Sequence, residues 1–307
     1  MAASAAKTVI SWTDHSGNDH DGPLITRVHD YDVIACEVCG FRHVLPLPEQ
    51  AGLERAYRDA VYEPKFGEDE EWAALSQRDR LECFENLLPA GRRRLLDVGA
   101  GSGFFLKTAA LCGWQVLGVE PSRQAAAHAR SLGVEMVEGF FNAETAPSLG
   151  RFDVVHLNNV LEHLPNPLEI VCLAREILSP GGLICLNVPN DFTPFQQSAR
   201  STLTLSEWWV APPHHLNYFD FDSLSRLVTR LGFDVRERST SFLMELFLLM
   251  GLDYTKDSDL GRACHNQRKR FDLSLEQAGF KETRRAFYRA LAAAGLGREA
   301  VVIAVKK

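Results

Sequence analysis

The sequence predicts an α/β fold built on a doubly wound, mostly parallel sheet, and three observations carry this prediction. From Arg92 onward, apolar segments of strand length alternate with segments of helical periodicity, as in "RRLLDVGA", "FFLKTAALCG" and "WQVLGVE". A glycine-rich turn follows the first of these strands, and the chain closes with the apolar run "REAVVIAVKK". Strands that alternate with helices form a parallel sheet that helices cover on both faces.

Length and composition restrict the class of protein. A chain of 307 residues, 46% of them hydrophobic, can bury a large core, and we expect one substantial domain with attachments. The formal net charge of -7 disfavours a broad nucleic-acid surface, so small-molecule partners are favoured. Seven cysteines without a secretory start indicate reduced thiols and a cytoplasmic protein. The run "SFLMELFLLMG" is too short to span a membrane and contains Glu245, so we expect no membrane segment.

The pattern divides the chain into four parts. Residues 1–80 are polar and rich in histidine, and they predict an irregular appendage, from which the acidic helical stretch "FGEDEEWAALSQRDRLECFENLL" leads into the main domain. Residues 81–243 contain the strand and helix alternation, and a loop-like stretch at 191–213 lies where a lid is expected. A helical insert is predicted at 244–298, and the final strand at 299–307.

The glycine turn predicts the type of ligand. Gly99, Gly101 and Gly103 occupy every second position after the first strand, where ligands bind in open α/β sheets. Glycines let the backbone bend sharply and let a ligand approach the main chain. The spacing G-x-G-x-G differs from the G-x-G-x-x-G of dinucleotide sites. Glu120 ends the second strand, where a carboxylate can accept hydrogen bonds from both hydroxyls of a ribose. The turn therefore predicts a ligand that carries a ribose.

Four motifs together resemble those of the class I S-adenosylmethionine-dependent methyltransferases. They are "LLDVGAGSG", "GVEPS", "FDVVHLNNVLEHLPNP" and "LSPGG", and they follow one another in the family's order across residues 92–243. The resemblance implies a Rossmann-like sheet of seven strands and S-adenosyl-L-methionine as cofactor. It places the methionine part of the cofactor at the glycine turn, the ribose at Glu120 and the sulfonium near Asn158.

The cofactor-binding residues implied by the resemblance form one set: Asp97, Gly99, Ala100, Gly101, Gly103, Phe104, Glu120, Pro121, Phe140, Phe141, Asn158 and Asn159. The family often has an acidic residue facing the adenine, whereas this chain has "FFN" at 140–142, where an aromatic ring could stack on the base. For Asn158 and Asn159, a capping or turn role is the alternative.

Histidines follow two of the predicted strands. Methyl transfer to a hydroxyl or a carbon acid needs a base, and histidine suits neutral pH. His163 follows the fourth strand, and "HHLNYF", which begins with His214 and His215, follows the fifth. If this segment is extended, the two adjacent histidines point to opposite faces. The layout resembles the deoxysugar C-methyltransferases, which implies that His163 and His215 flank the acceptor and that His215 is the base. Tyr218 is the third catalytic candidate, and packing roles for these residues are the alternative.

A C-x-x-C turn lies near the N-terminus. Cys36 and Cys39 are followed by His43, and His15, His20 and His29 precede them. The deoxysugar C-methyltransferases begin with two such pairs that close a zinc site, and then a P-x-P segment like "PLPEQ"; this chain has the second pair. Because zinc prefers four ligands, we expect a zinc site at Cys36, Cys39 and His43, in which one or two histidines complete the tetrahedron that the cysteine pair begins. A metal-free turn with reduced cysteines is the alternative.

The sequence thus predicts O- or C-methylation of a small hydroxylated or sugar-like metabolite, with S-adenosyl-L-methionine as donor. The expected partner is the small-molecule acceptor, without a nucleic-acid surface or a membrane. One alternative is a methyltransferase that acts on a protein or an RNA through the N-terminal part and the helical insert. Another is a cofactor-binding regulator without catalytic activity.

Overall fold

The computed structural model describes residues 8–14, 17–58 and 70–307. The N-terminal part contains four strands and two helices: β1 (Val9–Thr13), β2 (Asp19–Val28), β3 (Tyr31–Ala35), β4 (Arg42–Leu45), α1 (Gln50–Arg58) and α2 (Glu70–Leu87). The helix predicted at 66–88 is therefore present from Glu70, and its first four residues lie outside the described residues.

The first half of the core alternates as the sequence predicts. Its elements are β5 (Arg94–Val98), α3 (Phe104–Leu111), β6 (Gln115–Glu120), α4 (Arg123–Ser131), β7 (Met136–Glu138), β8 (Phe152–Asn158), α5 (Pro167–Ile177) and β9 (Leu178–Pro189). Leu95 and Leu96 are neighbours in β5, so they point to opposite faces, yet both are completely buried. Helices cover both faces of a parallel sheet, which is why its strands are apolar on both sides.

The second half contains the insert and the last strand. Its elements are α6 (Pro194–Leu203), β10 (Asn217–Tyr218), α7 (Phe221–Arg230), β11 (Phe233–Ser239), α8 (Glu245–Leu249), α9 (Ser258–Gln277), α10 (Lys281–Ala293) and β12 (Glu299–Lys306). The central sheet has seven strands in the order β11-β12-β9-β8-β5-β6-β7, and β12 is antiparallel to both of its neighbours. The predicted fold class is confirmed. No described helix is long and apolar enough to cross a bilayer.

The N-terminal part is a sheet, and the prediction of irregular structure there was wrong. Strands β1 to β4 pair antiparallel in chain order, and β10 from the core adds a fifth strand beside β4. The strand β1 alternates exposed and half-buried side chains, which is the pattern of a strand with one face toward the protein. Because the residues on the outer face are polar, amino-acid composition alone suggests an irregular segment and does not reveal this alternation.

The predicted lid is also more regular than expected. A helix, α6, occupies 194–203 within the stretch 191–213. Its start carries a capping box, in which the side chain of Thr193 accepts from the backbone of Gln196 and the side chain of Gln196 accepts from the backbone of Thr193. This T-x-x-Q signal with a following proline marks a helix start, although the neighbouring prolines and tryptophans suggest a loop.

Candidate active site

The glycine turn connects β5 to α3 at the carboxyl edge of the central sheet. Gly99, Gly101 and Gly103 all have positive φ values, of 70°, 52° and 78°. A Cβ atom on Gly99 would lie 2.7 Å from Val160 Cγ2, and one on Gly103 would lie 2.5 Å from Ala129 Cβ. A Cβ on Gly101 would meet no atom within 4 Å. Packing therefore requires glycine at the first and third positions, and the middle position borders open space where a ligand can approach.

Glu120 lies directly against this turn. The residue is 8% exposed, and its carboxylate accepts hydrogen bonds from the backbone N–H of Gly101 and of Ser122, both at 2.8 Å. Burial raises the pKa of Glu120, while these two hydrogen bonds act in the opposite direction. Pro121, half-buried, follows it at the end of β6. The carboxylate is thus fixed at the strand end beside the open middle of the turn.

A buried polar network lies under the turn. His156 Nδ1 lies 2.7 Å from Asp97 Oδ1, and its Nε2 lies 2.7 Å from Arg80 Nη1. Because burial lowers the pKa of His156, the ring is neutral, so it donates to Asp97 and accepts from Arg80. Arg80 also donates to Asn158 Oδ1 at 3.2 Å. No sequence motif marks Arg80, which reaches the site from α2 through the packing of that helix.

Asn187, at the end of β9, completes the network. Its Nδ2 donates to Asn158 Oδ1 at 2.6 Å, and its own Oδ1 is buried without a hydrogen-bond partner among the described residues. A buried acceptor that lacks a partner costs free energy unless a ligand or water pairs with it. Asn187 lines the cavity above the turn, so a ligand there could supply a donor.

The residues predicted around an adenine have different environments. Phe140 is half-buried, with the Arg58 guanidinium 5.9 Å from its ring centre. Phe141 is buried in the apolar core, so its predicted contact with the cofactor does not fit the structure. The side chain of Asn142 caps the next turn by accepting from the backbone of Glu144 and Thr145. Phe140 is therefore the aromatic residue of this segment that is available for stacking.

Phe104 directly follows the glycine turn, and Asn159 precedes Val160, which packs against Gly99. Asn159 has a φ of 54° and an exposed side chain, and its backbone N–H donates to the carbonyl of Asn187 at 2.8 Å. This geometry is that of a turn residue. Phe104 begins α3, with its ring 5.5 Å from that of His128. With Gly99 and Ala100, Phe104 lines a cavity of about 580 Å³ that extends from the turn to α2, α9 and α10.

His163 and His215 lie together, although 52 positions separate them in the chain. Their ring centres are 5.0 Å apart at 75°. His163 Nδ1 donates to the carbonyl of His214 at 2.6 Å, and the ring of Tyr57 from α1 lies 5.8 Å away. His215 Nδ1 is buried without a hydrogen-bond partner in the described part of the chain. The segment is linked to the glycine turn through Val160, which packs against Gly99.

Both imidazoles of this pair are neutral at pH 7. Burial lowers the pKa of His215 to about 4, helped by the neighbouring His163, and burial also lowers the pKa of His163. Beside them, Glu162 is 1% exposed, and burial raises its pKa to about 8. Its Oε1 lies 3.8 Å from His163 Nε2. The ligand atoms of these three side chains lie within 4.8 Å of one another, so the group could hold a metal ion.

The other residues of the "HHLNYF" segment have structural contacts. A turn at 212–214 contains His214, which is exposed, and the half-buried His215 follows it, so the condition of an extended segment is not met at the two histidines. Tyr218 is completely buried; its hydroxyl donates to the carbonyl of His215 and accepts from the N–H of Ala211. A hydroxyl held in this way braces the turn, so the predicted catalytic role of Tyr218 does not fit.

A second group of ligand atoms lies in the N-terminal sheet. Cys36, Cys39 and His43 come together, and His20 from β2 joins them, all within 4.8 Å of one another. His20 Nδ1 lies 3.1 Å from His43 Nε2 and 3.4 Å from Cys39 Sγ. The residue that sequence reasoning did not single out is His20. Of the other histidines considered, His29 lies in the exposed turn between β2 and β3, and His15 lies outside the described residues.

The second nitrogen of each imidazole in this group is occupied. His43 Nδ1 lies 3.0 Å from the carbonyl of Val44, and His20 Nε2 lies 3.4 Å from Asp14 Oδ2. Each ring therefore carries its proton on the outer nitrogen and presents the lone pair of the inner nitrogen to the cysteines. Such outer contacts are typical of histidines that bind metal ions.

Comparison with known proteins gives the family. The sequence pattern of a family described as "Methyltransferase domain" matches residues 69–238, more than half of the chain. A ubiquinone biosynthesis O-methyltransferase of Cereibacter sphaeroides is 31% identical over 158 residues, which cover 49% of this chain and 64% of that protein. A protein of the same name from Albidiferax ferrireducens is 31% identical over 118 residues, which cover 36% of this chain and 47% of that protein. The chain thus spans less than two thirds of the length of these relatives.

Among solved structures, a SAM dependent methyltransferase from Archaeoglobus fulgidus shares the fold. The TM-score is 0.51 at 18% identity, and the match covers 84% of this chain and 100% of that one. The match of the family pattern includes the glycine turn, Glu120 and the histidine that follows β8. The chain therefore belongs to the methyltransferase-domain family, with the class I methyltransferase fold.

Proposed function

We propose that this protein transfers a methyl group from S-adenosyl-L-methionine to an oxygen or carbon atom of a small hydroxylated or sugar-like metabolite, with His215 as general base. The observation that carries the proposal is the pair of neutral imidazoles at the carboxyl edge of the sheet, next to the glycine turn. The relatives are named O-methyltransferases, which favours oxygen as the acceptor atom.

The residues at the turn fit this cofactor. The open space at Gly101 admits a ligand against the main chain, and Glu120 can accept from two ribose hydroxyls. The unpartnered Oδ1 of Asn187 can accept from an ammonium group. Arg80 has no carboxylate partner among the described residues, so its guanidinium is available for the carboxylate of the methionine part. When bound, the cofactor supplies an electrophilic methyl group on a positively charged sulfur.

His215 is suited to take the proton of the acceptor. Its Nδ1 is buried and unpartnered, and its neutral state at pH 7 leaves that nitrogen ready to accept. With the cofactor and an acceptor bound, His215 Nδ1 would accept the proton that the acceptor hydroxyl releases on methylation. His163 is fixed by the carbonyl of His214, so it holds the ring of His215 from one side.

A labelling experiment tests the proposal against its alternatives. Purified protein is incubated with methyl-labelled donor and cell extract, and the products are separated by size. Label in the low-molecular-weight fraction is the expected result. Label in protein or RNA would instead support a macromolecular acceptor, and tight donor binding without any transfer would support a regulatory role.

We also propose that His20, Cys36, Cys39 and His43 bind one zinc ion. Two thiolates and two imidazoles provide the tetrahedral set that zinc prefers in structural sites. The purified protein should contain about one zinc per chain by elemental analysis, and Cys39→Ser should lose it. Cys112→Ser is the matched control, because Cys112 is exposed and lies outside this cluster. A folded, metal-free preparation that fails to take up added zinc would contradict the proposal.

A further inference from the structure

The cavity that begins at the glycine turn has an arginine-rich wall. Six arginines line it: Arg80, Arg268, Arg284, Arg285, Arg289 and Arg298. The three that belong to α10 are neutralised by ion pairs, Arg284 with Asp79 at 2.8 Å, Arg285 with Glu82 at 2.6 Å and Arg289 with Glu237 at 2.9 Å. Arg80 belongs to the network under the turn. The remaining two, Arg268 and Arg298, have no ion pair with a carboxylate of the described residues.

Arg268 is held in a fixed orientation. Its guanidinium lies over the indole of Trp72, 4.8 Å from the ring centre, and its Nε donates to His265 Nδ1 at 2.9 Å. These contacts occupy the face and the inner nitrogen of the guanidinium. They leave the two terminal nitrogens, which form the fork that binds carboxylates and phosphates, without a hydrogen-bond partner in the described part of the chain.

Arg298 directly precedes β12, and it acts on Arg268 as a like charge. Burial and Arg298 together lower the pKa of Arg268, against the opposing pull of Glu299 and Asp272. Asp272 is occupied, since it accepts from Trp72 Nε1 at 2.8 Å and from the Tyr288 hydroxyl at 2.5 Å. Arg268 is half-buried and Arg298 is exposed, and both line the same cavity. An anion bound between these two like charges would relieve their repulsion.

We propose that Arg268 and Arg298 bind an anionic group, a carboxylate or a phosphate, on the acceptor molecule. This inference rests on the proposed function, since the cavity also borders the residues assigned to the cofactor. Both arginines lie outside residues 69–238, the stretch that the family pattern matches. The wall that they form is therefore an addition of the helical insert, and it suits recognition of an acceptor that is particular to this chain.

Binding of matched small probes tests the proposal on the full chain. Titration calorimetry with S-adenosylhomocysteine present compares benzoate with benzamide, its uncharged counterpart, and phenyl phosphate with phenol. Inorganic phosphate is the fifth probe. We expect at least one anionic probe to bind about 10-fold or more tightly than its uncharged counterpart. The preference for benzoate or for phenyl phosphate identifies which anion the site takes.

Substitutions test whether Arg268 and Arg298 form the binding site for the anionic probe. Arg268→Gln and Arg298→Gln should each lower the affinity for the anionic probe by about 10-fold and leave the affinity for S-adenosylhomocysteine unchanged. Arg262→Gln is the control, because Arg262 is exposed on the same helix and pairs with Asp259. The proposal is overturned if no anionic probe binds, if charged and uncharged probes bind equally, or if the control loses as much affinity as the other two variants. Absence of binding to the donor and to S-adenosylhomocysteine would instead refute the proposed function.

Discussion

The acid–base role of His215 leads to a quantitative prediction for the pH dependence of turnover. A general base acts only in its neutral form, and burial lowers the pKa of His215 to about 4. At pH 5 a group with that pKa is about 90% neutral, whereas an exposed histidine with a pKa of about 6.5 is only about 3% neutral. Turnover should therefore be almost flat from pH 8 to pH 5 and should fall below that value.

Replacement of the imidazole gives the second half of the same test. General bases contribute about 100-fold to 10,000-fold, so His215→Ala should lower turnover by that order with donor affinity near that of the wild type. His214→Ala is the matched control, because this neighbouring side chain is exposed. Its turnover should change little.

The assay uses the low-molecular-weight acceptor fraction and labelled donor, with NMR titration of the histidine rings as a direct measure of their pKa values. Since the folded pKa of His215 lies below its unfolded value, acid destabilises the folded state between about pH 6.5 and pH 4, so circular dichroism must show folded protein at each pH used. A pH profile with a midpoint near 6.5 would refute the reasoning from burial. Full turnover in His215→Ala would remove the base role altogether and would indicate an amine or thiolate acceptor.

Three further predictions concern other parts of the site. Glu120→Ala should weaken donor binding by about 1 to 3 kcal/mol in calorimetry, since two hydroxyls lose a charged acceptor, and unchanged affinity would remove Glu120 from the site. Glu162→Gln should be more stable to urea than the wild type at pH 9 but not at pH 4. Burial raises the pKa of Glu162 to about 8, so the wild type loses folding free energy as pH rises from 4.5 through 8, and the glutamine does not. The difference should reach at most about 5 kcal/mol, and equal stability at pH 9 would contradict the prediction. His20→Ala should lower zinc content by elemental analysis as Cys39→Ser does, whereas full zinc content would exclude His20 as a ligand.

The sequence predicts the central sheet and its glycine turn well, because both are built from local signals. Strand and helix periods, and glycines that need positive φ values, are visible over a few residues, and the seven-stranded sheet agrees with them. Asp97 is the last but one residue of β5, and Glu120 is the last residue of β6. Their positions at the carboxyl edge of the sheet therefore follow from where the two strands end in the sequence. Phe141 shows the limit of such reasoning, because packing and not sequence spacing decides which of two adjacent aromatic residues enters the core.

Contacts between distant segments are much harder to predict. Arg80 enters the site from a helix that precedes the first core strand, and no local pattern distinguishes it from the other arginines of the chain. His20 joins the cysteine cluster only because β2 pairs with β3 in the N-terminal sheet, which composition does not reveal. Tyr218 has the residue type of a catalytic group, yet the fold uses its hydroxyl to brace a turn.

The N-terminal sheet and the histidine pair are connected through one short strand. β4 carries His43 of the cysteine cluster, and its partner β10 places Asn217 opposite that histidine. Asn217 Nδ2 donates to the carbonyls of Leu161 and Leu164, the residues on either side of the turn that holds His163. Metal binding at one end of this pairing would therefore stabilise the position of the imidazoles at the other end.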